Sequence, residues 1–335
     1  KRQKHNIPTT PYPVIIFPGF YYFFLLLFVW KTYIKDIFFK EERIKKPGKI
    51  ITGYGVVGIL CFCLFVLHLP KPFEIDMLSV GQGDGIFIRS KENVIFMIDG
   101  GSTSMKEVGK YVLEPFLLYQ GVNRIDYWML SHMDTDHISG CMELLEEGFP
   151  VSYVILPKSV IDENEKEPKE HYEKILQLCK NNDTEVLYIQ KGERFGTTSI
   201  EFLCLGPNYP SKFLGTNENS MILKLSYGKF NVIFTGDMGS EQEKVVLEEW
   251  KNIGKIEVLK AAHHGSKNSN CIEWLQTLSP SLSIISAGKD NLYGHPSWET
   301  LNRMDELDIS YLCTIEQGQI KIRGREDGRF WVIEK

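Results

Sequence analysis

The chain has 335 residues, more than one ordinary domain, and a formal net charge of −5. That figure averages two unlike regions: residues 1 to 70 hold ten Lys/Arg against three Asp/Glu, and the rest hold 28 against 40. The acidic remainder argues against a protein that grips duplex nucleic acid through a basic stripe. Seven cysteines, odd in number and without a C-x-x-C pair, exclude a disulfide framework. Cys141, Cys179, Cys204, Cys271 and Cys313 read as small buried hydrophobes.

In chain order, Val14 to Trp30 is almost wholly apolar, broken by Pro18 and Gly19. Ile50 to Leu69 has no Asp, Glu, Lys or Arg. Each approaches the ~20 residues that cross a bilayer as a helix. Lys31, Lys35, Lys40, Arg43, Lys45, Lys46 and Lys49 lie between them, and the positive-inside rule puts that loop in the cytoplasm. Everything after Pro70 is then expected outside. Residues 1–70 are therefore read as a transmembrane region, with spans at about 14–30 and 50–69, and 71–335 as a separate domain. Because the chain starts at Lys1, it is expected to be part of a longer membrane protein.

After Lys71-Pro72, apolar runs recur at 73–80, 85–90, 93–98, 125–130, 151–156, 185–189 and 199–205. Helical stretches are expected at 106–120, 136–147 and 169–180. The runs 221–225 and 230–235, joined through Tyr227-Gly228-Lys229, predict a hairpin. Then come helix 240–251, strand 256–261, helix 270–278, strand 282–286, helix 297–306 and short strands near 310–315, 319–323 and 329–333. This order fits an α/β domain of two packed sheets with helices outside.

The chemistry lies in polar turns after strands. Asp99-Gly100-Gly101 follows one, Gly236-Asp237 another, and His263-His264 a third. Ser131 to His137 puts His132, Asp134, Asp136 and His137 within six positions. Two imidazoles and two carboxylates so close are costly to bury unless a metal pairs with them. Five of the eight histidines fall in three turns, His295 before Pro296 being the fifth. His171, in a charged helix, reads as surface. Lys260, Lys267 and Lys289 also read as surface, within reach of phosphates.

The string His132-x-Asp134-x-Asp136-His137 resembles the His-x-His-x-Asp-His motif of the metallo-β-lactamase superfamily. The chain is more closely similar to the C-terminal domain of ComEC-type competence proteins, which take DNA across bacterial membranes. The features that carry this are Val80-Gly81-Gln82-Gly83-Asp84, Ile98 to Gly101, the string at 131–137, Thr235-Gly236-Asp237, Lys260 to Ser266, and Tyr293-Gly294-His295-Pro296. The resemblance implies an αββα metallo-β-lactamase sandwich preceded by two transmembrane helices. It implies one divalent ion on His132 and Asp134, a second on Asp136 and His137, and Asp237 bridging both. His264 would be the last ligand, with His263 its rival, and His295 a ligand or proton donor. Asp136, His263 and His295 are thus the candidate catalytic residues. Asp84, Gln82, Asp99, Asn219, Ser266 and Lys260 would support the ligands without binding metal.

The implied chemistry is phosphodiester hydrolysis. Two ions about 4 Å apart activate water and hold both oxygens of the displacement. The carboxylate-rich ligand set favours manganese over zinc. Implied partners are a single strand of incoming DNA, the membrane, other DNA uptake components and the N-terminal remainder of the same channel. The implied location is the bacterial cell membrane, multi-pass, with the hydrolase domain on the extracytoplasmic side. Three departures stand out. Ser79 replaces the family's usual Asp, Ser139 a usual Gly, and Asn219-Ser220 the further His of the classical superfamily, so one metal has a thinner shell. Two other readings remain: a hydrolase of small lactones, β-lactams or phosphodiesters, and a non-enzymatic domain that receives DNA or gates the pore.

Overall fold

The computed structural model describes residues 71–161, 169–213 and 215–333. These belong to one compact unit that begins at Pro72. The first sheet holds β1 (Glu74–Met77), β2 (Gly85–Arg89), β3 (Ile95–Asp99), β4 (Ile125–Met129), β5 (Val151–Pro157), β6 (Glu185–Ile189), β14 (Ile320–Gly324) and β15 (Phe330–Ile333). Their spatial order is β15-β14-β1-β2-β3-β4-β5-β6. The second holds β7 (Arg194–Gly196), β8 (Glu201–Gly206), β9 (Ile222–Tyr227), β10 (Phe230–Phe234), β11 (Val258–Lys260), β12 (Leu282–Ile285) and β13 (Tyr311–Cys313). Their order is β13-β12-β11-β10-β9-β8-β7.

The sheets meet through apolar side chains. Phe96 lies 5.2 Å from Phe202, and Phe73 stacks on Tyr227 at 4.5 Å. On the outer face of the first sheet, α2 (Thr135–Glu146) and α3 (Lys169–Asn181) bury Leu144, Cys141, Ile175 and Cys179 with Trp128 and Val154. On the outer face of the second, α4 (Ser240–Glu249) and α5 (Ile272–Leu278) bury Val246, Trp274 and Leu275 with Ile233 and Leu259. (The label α1 is given to Glu114–Tyr119.) Sheets covered on both faces need continuous apolar strands. Ile86, Phe87 and Ile88 are all buried for this reason. The expected αββα sandwich is therefore present.

Strands β3 to β6 run parallel, as do β10 to β13. Their C-terminal ends open at one edge of the sandwich, where the polar turns collect. Among the contacts that join the sheets there, Ser286 Oγ donates to the Gly83 carbonyl at 2.7 Å, and Gly288 N–H to Gln82 Oε1 at 3.2 Å.

Local expectations differ in detail. The strand expected at 256–261 pairs only over Val258–Lys260, because the chain then turns sharply at Ala262–Gly265. The helix expected over 106–120 begins as a π-helical turn, Gly109–Leu113, before α1. The three-residue β7 was not expected, being too short for a periodic signal. The five cysteines named above are free and buried. Among the described residues no helix is long and apolar enough to cross a membrane. The spans expected at 14–30 and 50–69 lie outside the described residues.

Candidate metal centre

The turn after β4 runs straight into α2, which starts at Thr135 with Asp134 as N-cap residue. His137 N–H and Ile138 N–H return to the Asp134 carbonyl at 2.9 and 3.2 Å, forming the first turn. This places Asp136 and His137 at the sheet edge. Close approach of the β3 turn makes it possible. A Cβ on Gly101 would lie 2.4 Å from the Thr135 carbonyl oxygen and 2.5 Å from the Asp136 carbonyl carbon, so no side chain fits there. Ser139, where the family usually has Gly, accepts the Ser102 N–H at 3.0 Å and fastens the same two turns together.

From the second sheet, Asp237 follows β10 and His263-His264 follow β11. His263, His264 and Gly265 all adopt left-handed backbone, with φ of 50°, 53° and 81°. Such a run is unfavourable outside glycine. The Asn270 side chain accepts the Ala262 N–H and donates to the Ala262 carbonyl, both at 2.9 Å. His263 N–H reaches the Gly236 carbonyl at 3.1 Å, and Ser297 N–H the Gly265 carbonyl at 2.9 Å. Glu243 accepts the N–H groups of Asn270 and Cys271 at 2.5 and 2.7 Å.

These turns converge. Asp136, His137, Asp237 and His264 each bring one ligand atom within 4.8 Å of the others. His137 Nε2 lies 3.3 Å from Asp237 Oδ1; His264 Nε2 lies 3.4 Å from Asp237 Oδ2 and 3.5 Å from Asp136 Oδ2. His132 stacks against His137 with centroids 4.1 Å apart, and its Nε2 lies 3.7 Å from Asp134 Oδ2. His263 stands at the mouth, its Nε2 3.6 Å from Asp237 Oδ2. His295 lies beyond, 5.5 Å from His263 and 6.3 Å from His264 between ring centroids.

The opposite ring nitrogens of His132, His137 and His264 are engaged. His137 Nδ1 bonds Asp99 Oδ2 at 2.8 Å, His264 Nδ1 the Ser286 carbonyl at 2.9 Å, and His132 Nδ1 meets Ser131 Oγ at 2.9 Å. Bonds to a carboxylate and a carbonyl fix Nδ1–H in His137 and His264, so Nε2 is the nitrogen turned to the pocket. The Nε2 atoms of His132, His137 and His264, and Asp237 Oδ1, are buried with no hydrogen-bond partner among the described residues. Buried polar atoms of this kind are rare without a function. Two imidazoles and two carboxylates brought together in this way, with His132 and Asp134 beside them, fit a divalent cation.

The electrostatics agree. Burial alone would lower the His137 and His264 pKa, but Asp237, with Asp99 and Asp84, raises both well above the usual imidazole value. Burial opposes ionisation of Asp237, yet His264 and His137 hold its carboxyl well below the usual range. The pocket thus carries a strong negative potential that favours cations. His295 is pushed down to about 4 by burial and by the neighbouring His263 and His264. A second cluster, Asp84, Asp99 and His137, is also close enough to hold an ion. There, however, the Lys260 ammonium already pairs with Asp84 and lies 3.8 Å from Asp237.

Lys260 corrects one expectation. It is 1% exposed, beyond the reach of a phosphate, and compensates the carboxylates from below. His171 corrects another. Its Nδ1 lies 2.8 Å from the Met133 carbonyl, so it braces the ligand turn between His132 and Asp134. Gln82 ties the sheets together, as described above. Asn219 donates to the Phe213 and Gly215 carbonyls, at 3.2 and 2.9 Å, and holds its own loop. The contact with His132 comes from its neighbour Ser220, whose Oγ lies 3.4 Å from His132 Nδ1 and accepts the Asp237 N–H at 3.1 Å. Ser266 closes the histidine turn, accepting the Asn268 N–H at 3.3 Å. Ser131 and Ser220 stood in the motifs read from the sequence, but their contacts, and Ser286 altogether, were not anticipated; a serine hydroxyl gives no signal of what it will meet.

Residues 78–193 match the model of the metallo-beta-lactamase superfamily. ComE operon protein 3 of Bacillus subtilis is 32% identical over 316 residues, covering 89% of this chain and 39% of that protein. Recombination protein 2 of Haemophilus influenzae is 26% identical over 86% of this chain and 33% of its own length. Competence protein ComA of Neisseria gonorrhoeae is 25% identical over 79% of this chain and 35% of its own. The chain thus spans well under half of these relatives. Among solved structures, CmlA, a diiron beta-hydroxylase from Streptomyces venezuelae, superimposes with a TM-score of 0.51 at 14% identity. It covers 82% of this chain and 59% of CmlA, a likeness of fold alone.

Proposed function

The chain belongs to the ComEC-type competence proteins and carries their metallo-β-lactamase domain, and on that premise we propose that residues 71–335 are a metal-dependent phosphodiesterase that cleaves DNA. The observation that supports this most is the pair of buried, unpartnered Nε2 atoms of His137 and His264 beside Asp136 and Asp237. In this reading His132, Asp134, Asp136, His137, Asp237 and His264 hold one or two divalent ions, manganese ahead of zinc. Such ions supply Lewis acidity and make a water acidic enough to attack near neutral pH.

The protein's own groups do the rest. Asp99 and the Ser286 carbonyl lock the rings of His137 and His264 so that Nε2 faces the pocket. Lys260 offsets Asp84 and Asp237 and keeps the site from accumulating uncompensated charge. His263 and His295 stand at the mouth, and burial lowers the pKa of both, so near neutral pH they are neutral bases suited to accept a proton. We further propose that the strand cleaved is the one not carried inward. The domain would lie on the extracytoplasmic side of the bacterial cell membrane, beside the channel and other uptake components. The basic loop at 31–49 between two apolar runs supports that placement.

The test is elemental analysis of the purified full chain beside Asp136→Ala, followed by incubation of each with labelled DNA and manganese or zinc. Stoichiometric metal and cleavage in the wild type, both lost in the variant, are expected. Metal with cleavage of a small ester but not DNA would move the assignment to a small-substrate hydrolase. Absence of any metal would leave a DNA-receiving or gating domain.

A further inference from the structure

We infer that Tyr293 and Trp298 form a base-stacking rim that selects single-stranded nucleic acid for the metal pocket. This rests on the nuclease reading above and names how its substrate is held. The rings of His264, His295 and Tyr293 make a ladder from the buried floor to solvent. His264 and His295 are 6.3 Å apart at 31°, and His295 and Tyr293 are 5.7 Å apart at 23°. His264 is 1% exposed, whereas Tyr293 is 64% exposed. Five residues further on, Trp298 opens α6 (Trp298–Glu306) and is 73% exposed; Leu292, before Tyr293, is 99% exposed. Three large apolar side chains left in water within seven positions, next to a polar site, mark a contact surface.

A second loop at this end of the sandwich repeats this chemistry. Strand β8 runs antiparallel to β9, which runs antiparallel to β10, so the loop after β8 lies at the same end as the site. That loop carries Tyr209, with the Lys158 ammonium 4.8 Å above its ring, and Lys212 beside Phe213 at 5.7 Å. Lys267 and Lys289 are exposed in the turns next to His264 and His295. Aromatic rings interleaved with lysines suit a single strand, whose base faces are open for stacking.

Charge settles the choice between strand and duplex. Duplex binding depends on many phosphate contacts. The region from residue 71 onward has an excess of acidic residues, and Asp290 and Glu299 lie on the rim segment itself. Stacking does not require net positive charge and contributes roughly 5- to 150-fold in affinity per base. A duplex hides those faces, so the rim discriminates against it.

The experiment measures binding of the full chain to three labelled probes by fluorescence anisotropy in EDTA, where metal-dependent cleavage is suppressed. The probes are a short oligothymidylate, an abasic strand of equal length and the matching duplex. The wild type is expected to prefer the oligothymidylate to both others by roughly tenfold or more. Tyr293→Ala and Trp298→Ala should each lose most of that preference without weakening abasic binding, and Tyr293→Phe and Trp298→Phe should keep it. Equal binding of all three probes, binding of none, or alanine variants indistinguishable from wild type would overturn the inference. Cleavage with manganese separates the two readings. Base-dependent binding without cleavage by the wild type refutes the nuclease and leaves the rim. Cleavage without base preference does the reverse.

Discussion

The His263-His264-Gly265 turn is held against its own backbone preference, so removing the clamp should be expensive. Asn270→Ala takes away both bonds to Ala262, whose N–H and carbonyl belong to a residue with no exposed surface. Each buried group left unsatisfied costs about 1–3 kcal/mol. Asn270 itself sits at φ 58°, where alanine adds about 1–2 kcal/mol of strain. The total is about 3–8 kcal/mol, a large share of a domain's stability. With a urea slope of about 3 kcal/mol/M, the unfolding midpoint should fall by about 1–3 M. Asn270→Gly removes the same bonds without the strain, so it should fall less, by the strain term. Urea titrations of the full chain, followed by tryptophan fluorescence, measure all three proteins. If Asn270→Ala stays within about 1 kcal/mol of wild type, smaller than the loss of one such bond, then the turn is not clamped in this way.

Two further outcomes follow from other parts of the fold. His171→Ala removes the bond to the Met133 carbonyl inside the ligand turn; manganese affinity, by calorimetric titration, should weaken about tenfold with little change in stability, and unchanged affinity would relegate His171 to surface packing. Burial, with Glu74 adding and Lys321 opposing, raises the Asp76 carboxyl to about 6. A raised acid costs stability once ionised: stability is full below the unfolded value near 4 and is lost as pH rises through 6. Asp76→Asn should therefore be up to about 3 kcal/mol more stable at pH 7.5, the opposing pull of Lys321 being already contained in that shift, and unchanged near pH 4. Urea midpoints at the two pH values check this, and an equal shift at both would refute it.

The candidate residues that the structure brings together, Asp136, His137, Asp237 and His264, could be picked out from the sequence because such a motif is local. His132 to His137 occupy one turn, and each remaining candidate ligand follows a strand whose apolar run announces it. The αββα layering was legible for the same reason, since strands covered on both faces are continuously apolar. What supports the ligands was legible only in part: Asp99 was named and does bond His137 Nδ1, but the partners farther out were not. Asp99 is fixed by Ser131 across 32 positions, His171 meets Met133 across 38, and Ser220 reaches His132 across 88. Each partner uses a common hydroxyl, carbonyl or ring nitrogen, and only the fold reveals which one lies opposite. Lys260 was misread because lysines are rarely buried. It is buried here because Asp84 and Asp237 arrive from two different sheets, a convergence that no local window contains.

That convergence also explains why the two sheets must be held in fixed relation at one edge. Asp84, Asp99, Asp136 and His137 come from the first sheet and its following turns, and Asp237, Lys260 and His264 from the second. A slip between sheets would separate Lys260 from Asp84 and leave a buried charge uncompensated, which is far costlier than losing an apolar contact. Ser286 on Gly83 and Gly288 on Gln82 cross the same gap with neutral bonds. The Val80 to Asp84 turn therefore does more than precede a strand. Its backbone accepts one bond from the second sheet, its glutamine another, and its aspartate pairs with the buried lysine. The cation site between the sheets and the bonds that hold the sheets in register are in this way one structure. Substitutions in a turn that supplies none of the candidate ligands should reach the pocket by shifting one sheet against the other.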